Sequence, residues 1–249
     1  MAVGDASAGL QAQAAARLSP VRSQSVVDLV LAQLEGLFVG NGFRPGERLN
    51  EVALSQAMSV SRSSLREAAR KLEQRGWLVS RPNRGFFVRS FTEVEVTQIY
   101  EARLCLESFA VRKCLASLTA PQKASLEGSF RTLVKAATSA SGQQIVDPIL
   151  AFHRAIVALA ENEILLRSFD ELAMDTKLIV TLIGGVQANP DTFLDRNRAI
   201  YEALMAADIV SSLGALERYL TTGLGEVVAF LRQDGPEERA SVPTPPLRA

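Results

Sequence analysis

The chain has 249 residues, 27 Lys/Arg against 27 Asp/Glu, and 47% hydrophobic residues. That composition supports a sizeable core and excludes global disorder, and no apolar run reaches the roughly 18 residues of a membrane span. Two cysteines exclude a disulfide framework, and the N-terminus lacks a charged start followed by an apolar stretch, so a cytoplasmic protein without a membrane partner is expected.

The zero net charge conceals an asymmetry. Residues 20–90 hold 11 Lys/Arg against 6 Asp/Glu, whereas residues 91–249 hold 15 against 20. A basic first part followed by an acidic second part suits a DNA-binding module joined to something that does not touch DNA. Chance asymmetry between two solvated surfaces is the plainer alternative.

Residues 1–19, rich in Ala, Gln, Ser and Gly, are expected to form a mobile tail. From Ser23 to Val39 the residues Val26, Val27, Val30, Leu34, Leu37 and Phe38 recur at helical spacing. Asn41-Gly42 ends that helix, and Arg44-Pro45-Gly46 makes a turn. Asn50 suits the cap of a second helix running to about Met58, and the turn Ser59-Val60-Ser61 leads into a third. In this third helix Arg62, Arg66 and Arg70 fall four residues apart and so share one stripe. Leu65, Ala69 and Leu72 share another, and Ser61 is a good N-cap. A short capped helix with an apolar back and an arginine front suits the major groove, where arginine pairs with guanine edges or phosphates. For Arg70 a solvated face, or a pair with Glu67 or Glu73, is the preferred reading.

After Gly76 the β-prone runs Trp77-Leu78-Val79-Ser80 and Phe86-Phe87-Val88 flank the turn Arg81-Pro82-Asn83-Arg84-Gly85, a hairpin wing with a basic tip. Trp77, Phe86 and Phe87 are expected to pack beneath the third helix rather than to stack on bases. From Thr92 onward six helical segments are expected, near 93–118, 121–139, 147–160, 163–184, 191–207 and 210–231. They form an antiparallel all-helical bundle. Breaks fall at Thr119-Ala120-Pro121, Ser141-Gly142, Asn162, Gly184-Gly185 and Ala207-Asp208. The expected fold is mainly α: a winged helix-turn-helix over 20–90, an all-helical part over 92–232, and a proline-rich disordered end over 233–249.

The stretches Phe43–Glu51, Val60–Ala68, Leu72–Leu78 and Arg84–Val88 together resemble, with matched spacing, the winged-helix domain of the GntR family of bacterial transcription regulators. The remainder is similar to the FCD effector domain of the FadR-like subfamily, through Tyr100-Glu101-Ala102-Arg103 with Glu107, then Phe152-His153, Glu161-Asn162 and Ile200–Asp208. The resemblance implies a homodimer on a two-fold DNA operator, a repressor of a metabolic operon released when a small organic acid enters the helical part. It implies base contacts for Arg62 and Arg66, phosphate contacts for Ser61, Ser63 and Ser64, and a minor-groove position for Arg84 and Gly85. Arg44 and Arg48 are either phosphate contacts or surface residues.

The chain departs from the family in three places. Val52 stands where several members carry a base-reading arginine. Ser59 stands at a turn position often held by glycine, a change expected to be tolerated at slight cost. The third departure concerns the metal that many FCD domains bind through an aspartate and three histidines. His153 is the sole histidine here, and the other ligand positions fall at Ile149, Asn197 and Tyr219. Asp147 precedes His153 by six residues, off its helical face. One imidazole without a carboxylate beside it is a poor transition-metal site, so no metal cofactor is expected. Arg103 matches the family position that faces the cavity, so the resemblance implies that it grips an effector carboxylate, with His153, Asn197 and Tyr219 as neutral hydrogen-bonding groups. The alternative for Arg103 is an ion pair with Glu107, one turn on. Without a metal, a larger and more apolar effector than a short hydroxy acid is the weaker further expectation.

Cys105 and Cys114, nine residues apart on one helix, cannot bridge each other and are expected to pack. The sequence shows no catalytic triad order, Cys-x-x-Cys, phosphate loop or paired carboxylates, so no enzymatic activity is expected. The competing readings are a helical-bundle enzyme and a protein-interaction module without DNA binding.

Overall fold

The computed structural model describes residues 25–39, 42–138, 145–183 and 190–233. The expected tail over 1–19, the C-terminal segment beyond Gln233, and the expected breaks at Ser141-Gly142 and Gly184-Gly185 lie outside the described residues.

Helix α1 (Val26–Val39) leads to α2 (Glu51–Ala57) and α3 (Arg62–Gln74). The caps are those the residue types favour. Asn50 accepts from Ala53 N–H at 3.1 Å, and Ser61 accepts from Ser64 N–H at 3.1 Å. Ser59, in the turn between α2 and α3, has φ 53°, a left-handed conformation that glycine adopts without strain. Helix α3 turns Leu65, Ala68, Ala69 and Leu72 fully inward. Each of the two leucines contributes about 1.5–3 kcal/mol by leaving water, which fixes the rotation of the helix and so aims its arginines outward.

Strands β1 (Leu78–Arg81) and β2 (Gly85–Val88) pair antiparallel, from Leu78 opposite Val88 to Arg81 opposite Gly85. Trp77, Phe86 and Phe87 are buried, Trp77 edge-on to Phe38 with centroids 5.1 Å apart. They anchor the wing, as expected. One feature of the wing had no sequence signal. The segment before α2 lies along β2, with Leu49 N–H donating to Phe86 O and Val88 N–H to Glu47 O, and this ties the base of α2 to the wing.

Among the described residues six helices follow: α4 (Glu93–Cys114), α5 (Ala120–Ala137), α6 (Val146–Ala158), α7 (Glu163–Ile183), α8 (Pro190–Met205) and α9 (Ile209–Gln233). Thr92 with Glu95, and Thr119 with Gln122, form capping boxes that set the starts of α4 and α5. The first expected helix overran: α4 ends at Cys114 and a 3₁₀ turn covers Leu115–Ser117. Helix α9 includes Gln233, which the sequence reading gave to the disordered end. Cys105 is exposed rather than packed, whereas Cys114 is partly buried.

One buried apolar cluster runs from α1, α3 and the wing through Val96, Ile99 and Tyr100 of α4 to Leu178, Ile179 and Leu182 of α7. Arg89, just after β2, forms a two-pronged ion pair with Asp175 of α7. The winged helix is therefore packed firmly against the helical bundle, with α7 as its main support.

Candidate nucleic-acid interface and buried polar cavity

The N-terminus of α3 presents three serines, with Ser61 in contact with the other two. Ser61 Oγ lies 2.8 Å from Ser63 Oγ and 2.9 Å from Ser64 Oγ. Arg62 projects beside them into solvent. Arg66, one turn on, rests over the Phe86 ring at 5.4 Å and donates from Nη1 to both carboxylate oxygens of Glu51, at 3.0 and 2.7 Å. Arg70 is exposed and forms no ion pair among the described residues, which is the solvated face expected of it.

Across from α3, the wing tip carries Arg84 over the Phe87 ring at 5.7 Å and Gly85 at φ +84°. A Cβ on Gly85 would stand 2.9 Å from Glu51 Oε1, so both the backbone conformation and the carboxylate require glycine. A polar groove of about 760 Å³ separates helix and wing, lined by Arg48, Glu51, Arg62, Arg66, Arg81 and Gly85 among others. Of the seven residues expected at a DNA interface, Arg62, Arg66 and Gly85 line this groove. The three serines sit at the start of α3 beside it, and Arg84 at its rim. The sequence reading missed Glu51, because it reaches Arg66 through the fold and not through helical spacing.

The second site lies inside the bundle. Glu107 is completely buried and accepts from Arg103 Nε and Nη2 at 3.2 and 3.0 Å, while its other oxygen lies 2.5 Å from His153 Nδ1. Burial alone would raise the Glu107 carboxyl. The neighbouring His153 and Arg103 outweigh it and hold the group below the usual carboxylate range. The alternative reading for Arg103, a pair with Glu107, is thus realised. The premise that His153 has no carboxylate beside it is corrected: α4 brings Glu107 to it from a different helix.

A small cavity of about 30 Å³ adjoins this network, lined by Tyr100, Arg103, Ile149, Thr176, Phe193 and Tyr219 among others. Of the four expected effector residues, Arg103 and Tyr219 line it. The His153 and Tyr219 rings lie against each other, centroids 4.6 Å apart and planes tilted by 32°, and Asn197 is anchored by donating to Phe193 O at 2.8 Å. His153 Nε2 and Asn197 Oδ1 are buried without a hydrogen-bond partner among the described residues. Asp147 faces away and pairs with Lys177.

The family's metal does not fit this donor set. Ile149 replaces its aspartate, the carboxylate beside His153 is Glu107, which is committed to His153 Nδ1 and Arg103, and a guanidinium lines the cavity. Among the described residues no three His, Cys, Asp or Glu side chains converge as a metal site.

Residues 27–88 match the family described as bacterial regulatory proteins, gntR family, and residues 98–222 match the FCD domain. The chain belongs to the GntR family. It is similar to the Nta operon transcriptional regulator of Aminobacter aminovorans, 36% identical over 51% of this chain and 60% of that protein. It is also similar to the HTH-type regulator YdhC of Bacillus subtilis, 31% identical over 68% of this chain and 76% of that one. A crystal structure of a GntR regulator from Rhodococcus sp. RHA1 shares the fold, with a TM-score of 0.65 and 23% identity over 83% of this chain and 99% of that one. This GntR member with an FCD domain is a transcriptional regulator and not an enzyme. Among the described residues no helix is long and apolar enough to cross a membrane.

Proposed function

We propose that the chain is a homodimeric repressor that binds a two-fold operator through α3 and the wing, and that a small organic acid entering the bundle releases it. The observation that carries this reading is the outward pair Arg62 and Arg66 on a serine-capped helix, facing a basic wing across an open polar groove. Arg62 and Arg66 read guanine O6 and N7 in the major groove. Ser61, Ser63 and Ser64 hold phosphate, and Arg84 with Gly85 follows the minor groove. Glu51 keeps Arg66 in place until a base competes for it.

Inside the bundle, Arg103 uses its Nε/Nη2 edge on Glu107, and the other edge of a guanidinium can take a second carboxylate. His153 Nε2 and Asn197 Oδ1 are available for the remaining polar groups of a ligand. The division into a DNA-binding part over 20–90 and an effector part over 92–232 follows. The cavity works without a metal.

Release follows from size. A cavity of about 30 Å³ holds little more than water, so an organic acid has to displace the walls. Thr176 and Val180 of α7 line that cavity, while Asp175 and Leu178 of the same helix hold the winged helix. A shift of α7 therefore reaches the DNA-binding face directly. The test is footprinting of the purified protein on fragmented genomic DNA. The reading holds if a protected site shows two inverted half-sites, and if carboxylates related to the neighbouring genes' substrates weaken protection. It fails if no duplex is protected at low salt.

A further inference from the structure

We propose that the groove between the winged helix and the bundle is a second ligand site, selective for an amphiphilic organic cation. This groove has a volume of about 560 Å³, within the range of roughly 300–1,000 Å³ typical of small-molecule sites. It is separate from the buried cavity: Ala102, Cys105 and Leu106 of α4 and Leu172 and Met174 of α7 line the groove, whereas Tyr100, Arg103, Thr176 and Val180 of the same helices line the cavity. The two sites share no lining residue.

The walls are mainly apolar, from Leu78, Val79, Leu106, Leu172 and Met174. Met174 remains 37% exposed and Cys105 is also exposed, so apolar surface is left open to water here. The charges decide the class of ligand. Both arginines of the groove are ion-paired, Arg89 to Asp175 and Arg75 to Glu35, and the buried Nε of Arg89 is left without an acceptor among the described residues. Two carboxylates, Glu73 and Glu171, have no ion-pair partner among the described residues, and Glu73 accepts a bond from the backbone N–H of Ser80. An apolar trough with two uncompensated carboxylates attracts a ligand with an apolar body and a positive charge, and disfavours a carboxylate. Such a ligand bridges α3, which contributes Glu73 from its last turn, to α4 and α7. Its occupancy therefore bears on the orientation of the recognition helix.

The test uses the full-length protein and two xanthene dyes of similar shape and opposite charge, rhodamine 123 and fluorescein, followed by fluorescence anisotropy. Rhodamine 123 is expected to bind saturably at one equivalent per chain, and fluorescein at least on the order of tenfold more weakly. A Glu73→Gln/Glu171→Gln variant is expected to lose on the order of tenfold in rhodamine 123 affinity. Should that pair of changes unfold the chain, Glu171→Gln alone, at an exposed position, must still weaken binding by roughly threefold. Arg131→Gln, at an exposed position of α5 outside the groove, must leave the dye's affinity unchanged. Equal affinity for the two dyes, no saturable rhodamine 123 binding, or unaltered affinity in the Glu171 variant overturns the proposal.

Discussion

Replacing Glu107 by alanine tests how the bundle interior is held together. The carboxylate is fully buried and accepts from Arg103 twice and lies against His153 Nδ1, while Arg103 itself is only 2% exposed. Removing one member of such a network strands a buried guanidinium without a counter-charge, at a cost of about 3–5 kcal/mol. For a chain of this size, each kcal/mol corresponds to about 2–4 °C in Tm. The expected loss in Glu107→Ala is therefore roughly 6–20 °C by circular dichroism. Glu107→Gln, which keeps the volume and an acceptor oxygen, should lose less. The pH dependence has a definite sign. The carboxyl is held below its ordinary value in the folded chain, so the unfolded chain takes up the proton more readily. The contribution is fully present above the unfolded carboxylate value of about 4.3 and is lost as pH falls through the lower folded value. The Tm gap between wild type and Glu107→Gln should accordingly narrow below pH of about 4 compared with pH 7. A drop under about 2 °C in Glu107→Ala, or a gap that widens with acid, would refute the reasoning.

Other changes give equally direct outcomes. Ser59→Gly should stabilise the chain by about 0.5–1 kcal/mol, because the residue sits at φ 53°; a lower Tm would contradict this. Gly85→Ala should cost about 1–3 kcal/mol, since it combines a positive φ with a 2.9 Å approach to Glu51, and should weaken operator binding in a mobility-shift titration. Treatment with a chelator, followed by elemental analysis and the same titration, should leave operator affinity unchanged; one equivalent of a transition metal retained through gel filtration would contradict the metal-free cavity.

The winged helix was legible because its signals are local. Asn50 and Ser61 cap the helices that follow them, and the 3.6-residue spacing of Leu65, Ala69 and Leu72 fixes which side of α3 faces out. The turn between Arg81 and Gly85 sets the wing register. What escaped depends on contacts between elements remote in sequence. Glu51 clamps Arg66 from 15 residues away, and Glu107 meets His153 from 46 residues away. No periodicity within one helix records either pairing. The small size of the cavity was equally hidden, because it depends on how Tyr100, Phe193 and Tyr219 from three helices fill one space.

The central claim is that α3 enters duplex DNA and reads guanine through Arg66. Selection of binding sequences from a random duplex library, run in parallel on wild type and Arg66→Ala, tests it most directly. The account predicts inverted half-sites containing a guanine whose preference vanishes in the variant, with about 1–3 kcal/mol of discrimination lost at that position alone. Identical sequence preferences from both proteins, or a uniform loss across all sequences, would contradict it.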